Sequence, residues 1–528
     1  MDQFEVLPYG IDNLVRLFVD GSQLATKELV LDKRHRVYFE EYFAALGAST
    51  IVAEHNYVDR DYLEDHAAYY DRCFQDYSRR TQRLHFFSVA FDSVQFEETL
   101  ENPTEGIGEQ CLREAYLGFV VVKPLPQTIV GRTCLTTYPA DGGRRQFPSL
   151  RTYPVGLFGL SLEVNSLAYQ EQDTVVAACA TSALWSCFQG TGKLFQHSIP
   201  SPVEITNWAG SHVPEDLLAA SARAFPNAGL TCTQMAHAVR HVGLEPVVIG
   251  ANSRYGLNSI TYAYLRGRIP SLLTARLVCD LGSDQPSDRG AHAIALTGFS
   301  LGDPVAPALS PTGFLLRGNR IDKIYGHDDQ VGPFARMIWE EMSVHSSSDD
   351  SSGSGKSIQT LRTSWAGVIH AIPSFVLLPL YHKIRIPFAL IHDEMLRLDA
   401  VLEEVRRQLF PDQPRVEWDI FLTTANEYKR SVRDDYANSE IDIKSSLLAD
   451  LPRFLWRATA RTGEKLELEF LFDATGIAQQ DLLVHAVSTG GTYAQILGAL
   501  ALHAERTSKL LPRQVKAVLK RFLVSPIS

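Results

Sequence analysis

Four side chains in a fixed order could carry chemistry in this chain: Gln172, Cys179, His292, and an aspartate at 328 or 329. A cysteine attacks a carbonyl carbon as the thiolate. A helix N-terminus and a nearby imidazole both favour that form. Cys179 stands in QDTVVAACATSALWSC, where Ala177, Ala178 and Ala180 leave room for a carbonyl to approach. TSALW then continues as an apolar helix, which places the thiol at the positive end of its dipole. Taken alone, Cys179 reads first as a buried apolar cysteine, the commoner state.

His292 is the candidate base. In AHAIALTGF the period of two puts His292, Ile294 and Leu296 on one strand face. Asp328 and Asp329 follow the strand DKIYGH, where a carboxylate can fix the tautomer of an imidazole. Asp328 comes directly off that strand and is preferred, with Asp329 the alternative. Gln172 is the candidate oxyanion donor, together with the Cys179 backbone N–H, and Gln170 is the fallback. The polar run YQEQD reads equally as a surface loop.

The elements that must hold these residues suggest an α+β chain. A first region, 1–155, mixes a charged helical stretch with strands such as AYLGFVVV. A middle region, 156–345, begins with the cysteine helix. Helices at PEDLLAASARAF and TCTQMAHAVRHVG follow, then the unit SITYAYLRGRIPSLLTARLV, a helix feeding a strand. AHAIALTGFSL is a strand, and FLLRGNRIDKIYGHDD is expected as a strand pair turning at Gly318 and Asn319. The run HSSSDDSSGSGKS has no large apolar residue, so 346–358 is expected to be a linker or loop without fixed structure. The last region, 359–528, reads as a further α+β domain ending in helices.

In this order the residues resemble papain-like cysteine peptidases, and within them the bacterial branch that includes the double-glycine leader peptidases. ACATSALW stands where such enzymes carry their cysteine helix. GAHAIALTGF is similar to their histidine strand, IYGHDDQVG to the strand end bearing Asp or Asn, and GLNSITYAYLRGRIPSLL to the unit before the histidine. The resemblance spans about 156–345. It implies a papain-like core, a helical lobe followed by an antiparallel sheet, flanked by two α+β domains. It also implies a Cys179–His292–Asp328 triad, with Gln172 in the oxyanion hole, cleaving a peptide or isopeptide bond. Ala180 departs from the glycine of many relatives, and the 36 residues from His292 to Asp328 accommodate an insertion at LGDPVAPALSPTG. An acyltransferase or transglutaminase-like enzyme, or a silent module that only binds, would use the same frame.

Composition narrows the partners. The net charge of -11 argues against bulk binding to nucleic acid or anionic membrane. Seven scattered cysteines with no CxxC pair fit a reducing compartment, so a cytoplasmic location is expected. No signal peptide or membrane span is expected. His237 and His241 share a helix face but lack a third ligand, so neither a metal nor a cofactor is expected. The expected partner is a protein or peptide substrate, and the sequence leaves the oligomeric state open.

Overall fold

The structure, a computed structural model, describes residues 3–507 and 511–524, apart from 174, 213–228, 282, 284–285, 306–312, 345–355, 365–367, 437–440 and 442. The chain is α+β with antiparallel sheets. It divides into two compact units. One comprises 1–252, 268–300 and 323–379; the other comprises 253–267, 301–322 and 380–528. The boundaries expected near 155 and 345 do not coincide with the limits of these units. The helix expected at Pro214 and the serine-rich run through 355 lie outside the described residues.

The first unit opens with strands β1 (Phe4–Pro8), β2 (Thr50–Tyr57), β3 (Thr81–Phe87), β4 (Tyr116–Val122) and β5 (Val130–Leu135), paired antiparallel in sequence order. The β-branched run of β4 is buried along its whole length, as a central strand requires. A short strand, β6 (Arg145–Gln146), precedes a hairpin of β7 (Arg151–Leu157) and β8 (Leu160–Ser166). Tyr153, Val155 and Leu157 point inward and alternate with exposed residues. The two turn residues, Phe158 and Gly159, have φ of 48° and 95°, the twist that a tight hairpin turn demands.

The cysteine helix, Cys179–Phe195, follows. It is buried on nearly every side from Ala180 to Gly192, which is why its sequence is apolar all round. Then come β9 (Glu245–Gly250), β10 (Ser271–Cys279), β11 (Ser287–Leu301), β12 (Ile321–Asp328), β13 (Gly332–Val344), β14 (Lys356–Arg362) and β15 (Ile369–Leu380). Strands β10 to β15 pair in sequence order, and β10 also pairs with β15, so six strands close into a ring. Closure removes the open edges that invite other strands. The β14–β15 pair lies beyond residue 345, so this sheet continues past the expected linker. One apolar core joins residues of β4, the hairpin, the cysteine helix, β10 and β11.

The expected strand pair around Gly318 is absent. Arg317–Arg320 form a 3-10 turn that leads into β12. Gly318 serves a close approach instead: a Cβ there would stand 3.0 Å from Tyr262. The Asn258 amide donates to the Ile321 carbonyl at 3.0 Å and fixes the exit of that turn.

The second unit is built on β16 (Glu417–Thr424), β17 (Phe454–Thr462), β18 (Lys465–Asp473) and β19 (Leu483–Ser488), an antiparallel meander. The helix Phe388–Leu409 buries Ile391, Met395, Leu398 and Leu402, the helical spacing read in its sequence. Among the described residues no helix is long and apolar enough to cross a membrane.

The N-terminal sheet carries a titratable group with a measurable signature. His85 on β3 is fully buried, with Nδ1 2.9 Å from the Tyr116 hydroxyl. Burial, against the pull of Glu54, pushes its pKa down to about 4. In the unfolded chain His85 takes up its proton near pH 6.5. Its contribution to stability is therefore present above that value and is lost as pH falls towards 4. The loss is about 3 kcal/mol across that window. We expect urea midpoints to fall between pH 7.5 and 4.5, and His85→Gln to flatten that fall. An equally steep fall in the variant would assign it elsewhere.

Candidate active site

The site is assembled from three elements of the first unit. Cys179 is the first residue of its helix and is half-buried. The residue before it, Ala178, has extended backbone and no side chain that could cap the helix. Among the described residues, no side chain caps the N–H groups of the first turn, that of Cys179 among them. Asp173 shapes the approach to the helix. Its Oδ1 accepts from the N–H groups of Val175 and Val176 at 2.9 and 3.1 Å, and Tyr70 donates to its Oδ2. Thr206 donates to the Val176 carbonyl at 2.6 Å and holds the same segment from the other side.

His292 lies on β11 opposite Ala275 of β10. It is 3% exposed. Its Nε2 is 3.0 Å from Asp328 Oδ1 and 3.6 Å from Asp329 Oδ1. Burial alone would disfavour the imidazolium. The charges of Asp328 and Asp329, with the hydrogen bond to Asp328 and the neighbouring Cys179 side chain, outweigh that penalty and hold His292 well above its ordinary value.

Asp328 ends β12, and its Oδ1 also accepts from the Gln330 N–H at 3.0 Å. Asp329 is equally buried, but among the described residues neither of its carboxylate oxygens has a hydrogen-bond partner. Burial, with the charges of Asp328 and Glu171 adding to it and His292 opposing it, pushes Asp329 up to about 7.

The turn that carries both aspartates is gripped by residues the sequence reading did not single out. The Asp329 carbonyl accepts from the Tyr169 hydroxyl at 3.1 Å, and His35 Nε2 lies 3.1 Å from the same oxygen. His35 Nε2 is also 2.8 Å from the Tyr169 hydroxyl. Tyr38 donates to the Pro333 carbonyl at 2.6 Å, and Arg34 reaches Gln330 at 3.4 Å. Gly332 lies under the Tyr38 ring: φ there is 154° and a Cβ would stand 2.3 Å from that ring. His35, Tyr38 and Arg34 share the helix Arg34–Leu46, so the N-terminal region helps build the site.

The run YQEQD is also more than a surface loop. Gln170, Glu171 and Asp173 are buried. Glu171 forms an ion pair with Lys33 and accepts from the Val130 N–H at 3.0 Å. Gln172 is half-buried and lines a pocket of about 280 Å³ with Lys33, His35, Glu171, Asp329 and Gln330. Among the described residues, no hydrogen bond ties Gln172 to Cys179.

No protein-family model matches this chain, and no curated protein matches it in sequence. The functional reading therefore rests on the site itself. The structure brings Cys179, His292 and Asp328 together, with Asp329 behind the same ring nitrogen. It places Gln172 at the carboxylate end of the cluster. Cys187, two turns along the helix, is fully buried, and burial pushes its thiol up. It packs in the core.

Proposed function

We propose that the chain is a cysteine peptidase whose papain-like core lies in the first unit. The observation that carries the reading is the position of His292: Asp328 Oδ1 lies 3.0 Å from its Nε2, and Asp328 and Cys179 both favour its charged form. Such a chain of thiol, imidazole and carboxylate is what thiol acyl transfer needs.

In this mechanism His292 takes the thiol proton, and the sulfur bonds to the substrate carbonyl carbon. The negative charge that develops on the carbonyl oxygen is met by the backbone N–H of Cys179. The imidazolium, supported by Asp328, gives its proton to the leaving amine as the C–N bond breaks. Water then attacks the acyl-enzyme, releasing the acid and restoring the thiol. The substrate is a protein or peptide. The ion pair with Asp328, together with burial, keeps the imidazole oriented.

A competition among thiols tests the reading. The chain has seven cysteines, and Cys73, Cys111 and Cys232 are exposed to a degree similar to Cys179. At limiting iodoacetamide or a peptidyl epoxide, we expect Cys179 to be modified at least about tenfold faster than those three. Peptide mapping by mass spectrometry reads the rates. Uniform modification would refute the proposal.

A further inference from the structure

We propose that His292, Asp328 and Asp329 form a binding site for a divalent transition metal of the zinc class, and that the ion silences the thiol site when bound. One nitrogen and two carboxylate oxygens from these residues all lie within 4.8 Å of one another. Two separations are known individually: His292 Nε2 to Asp328 Oδ1 is 3.0 Å, and Nε2 to Asp329 Oδ1 is 3.6 Å. In a tetrahedral zinc site with bonds of about 2.0–2.1 Å, neighbouring ligand atoms lie about 3.3 Å apart. The two values bracket that edge, and the third, between the carboxylate oxygens, is at most 4.8 Å and closes by side-chain rotation as the ion is seated.

The second observation is Asp329 itself. It is 3% exposed, and among the described residues neither oxygen has a hydrogen-bond partner, its charge being met only by His292 at 3.6 Å. A buried carboxylate in that condition is costly, and a cation coordinated by it removes the cost. Imidazole with two carboxylates suits zinc and its neighbours, and three protein ligands leave a fourth position for water. Asp329 also lines the pocket shared with Gln172, which offers a route for the ion.

Binding exchanges a proton for the ion. The proton on Nε2 leaves to solvent, and Nε2 coordinates the metal through the lone pair released. His292 then loses its hydrogen bond to Asp328 and can no longer store the thiol proton as an imidazolium. The site is thus either a thiol triad or a metal centre. Binding of the ion does not depend on the peptidase reading; the silencing does.

Zinc is titrated calorimetrically into the full chain carrying Cys179→Ala and His237→Ala. The second change removes a competing cluster, since the His237 ring lies 5.3 Å from that of His212 and 4.9 Å from that of His241. We expect one saturable site in this background, weakened roughly tenfold or more by adding Asp329→Asn. Asp328→Asn serves as a second weakening variant, and circular dichroism checks that each is folded. Zinc at a given concentration should raise the melting temperature of the background protein more than that of the Asn variants. In the otherwise native chain zinc should slow Cys179 alkylation, and a chelator should restore it. No saturable binding, or binding indifferent to both aspartates, overturns the inference. So does binding that restoring Cys179 makes tenfold tighter, because sulfur would then be the anchor. Absence of Cys179 reactivity without zinc would instead count against the peptidase reading and leave the titration result standing.

Discussion

Cys179→Ala will abolish peptide turnover, and His292→Ala will lower it by about 10⁴-fold or more. The double variant will be no worse than the worse single one, because nucleophile and base act as a unit. The geometry gives the reason. His292 is hydrogen-bonded to the Asp328 carboxylate, and the Cys179 side chain favours its charged form. Without it the thiol proton has no acceptor, and the leaving amine has no donor. The alkylation rate of Cys179 at neutral pH separates the two steps: His292→Ala should lower it, although alkylation needs no leaving-group protonation. The variant also leaves two buried carboxylates facing each other. His292→Gln, which keeps polar volume in the space, is therefore the control for folding, and it should be as inactive as the alanine variant. A folded His292→Gln protein with near-native turnover would end the triad reading.

Much of this site was legible because its residues sit at the ends of regular elements. The helix start at Cys179 follows from an apolar run after small residues, and the histidine strand from a clean alternation. Asp328 stands at the end of β12, as its place after a β-branched and aromatic run implies. Local pattern says less about what a segment packs against. YQEQD is polar, and polar runs usually face water. Here Glu171 is buried because Lys33, 138 residues away, pairs with it. The same is true of His35 and Tyr169, whose clamp on the Asp329 carbonyl joins residues 134 and more positions apart. No periodicity within a window encodes such a pairing. The strand pair foreseen at Gly318 failed for a related reason. A glycine suits a hairpin turn and a close approach equally well, and Tyr262 decides between them.

The choice between the two aspartates was also beyond sequence spacing, and it sets the second large effect. Asp328 accepts from His292 at 3.0 Å and also takes the Gln330 N–H, so it both orients the ring and orders the turn. Asp329 stands 3.6 Å from the same nitrogen, without a hydrogen bond to fix its side chain. Asp328→Ala should therefore cost about 10²–10³-fold in kcat, with KM changed far less, since the loss lies in the proton-transfer machinery. Asp328→Asn should recover part of that loss. Its amide oxygen still accepts from Nε2, and the charge of Asp329 still favours the imidazolium. The Asp328→Asn/Asp329→Asn pair removes both charges, and its loss should exceed the product of the single losses, because each carboxylate covers for the other. Steady-state kinetics of the native chain and these variants decide the matter. Should Asp329→Ala cost more than Asp328→Ala, the orienting role passes to Asp329 and the hydrogen bond at 3.0 Å is not what holds the base in place.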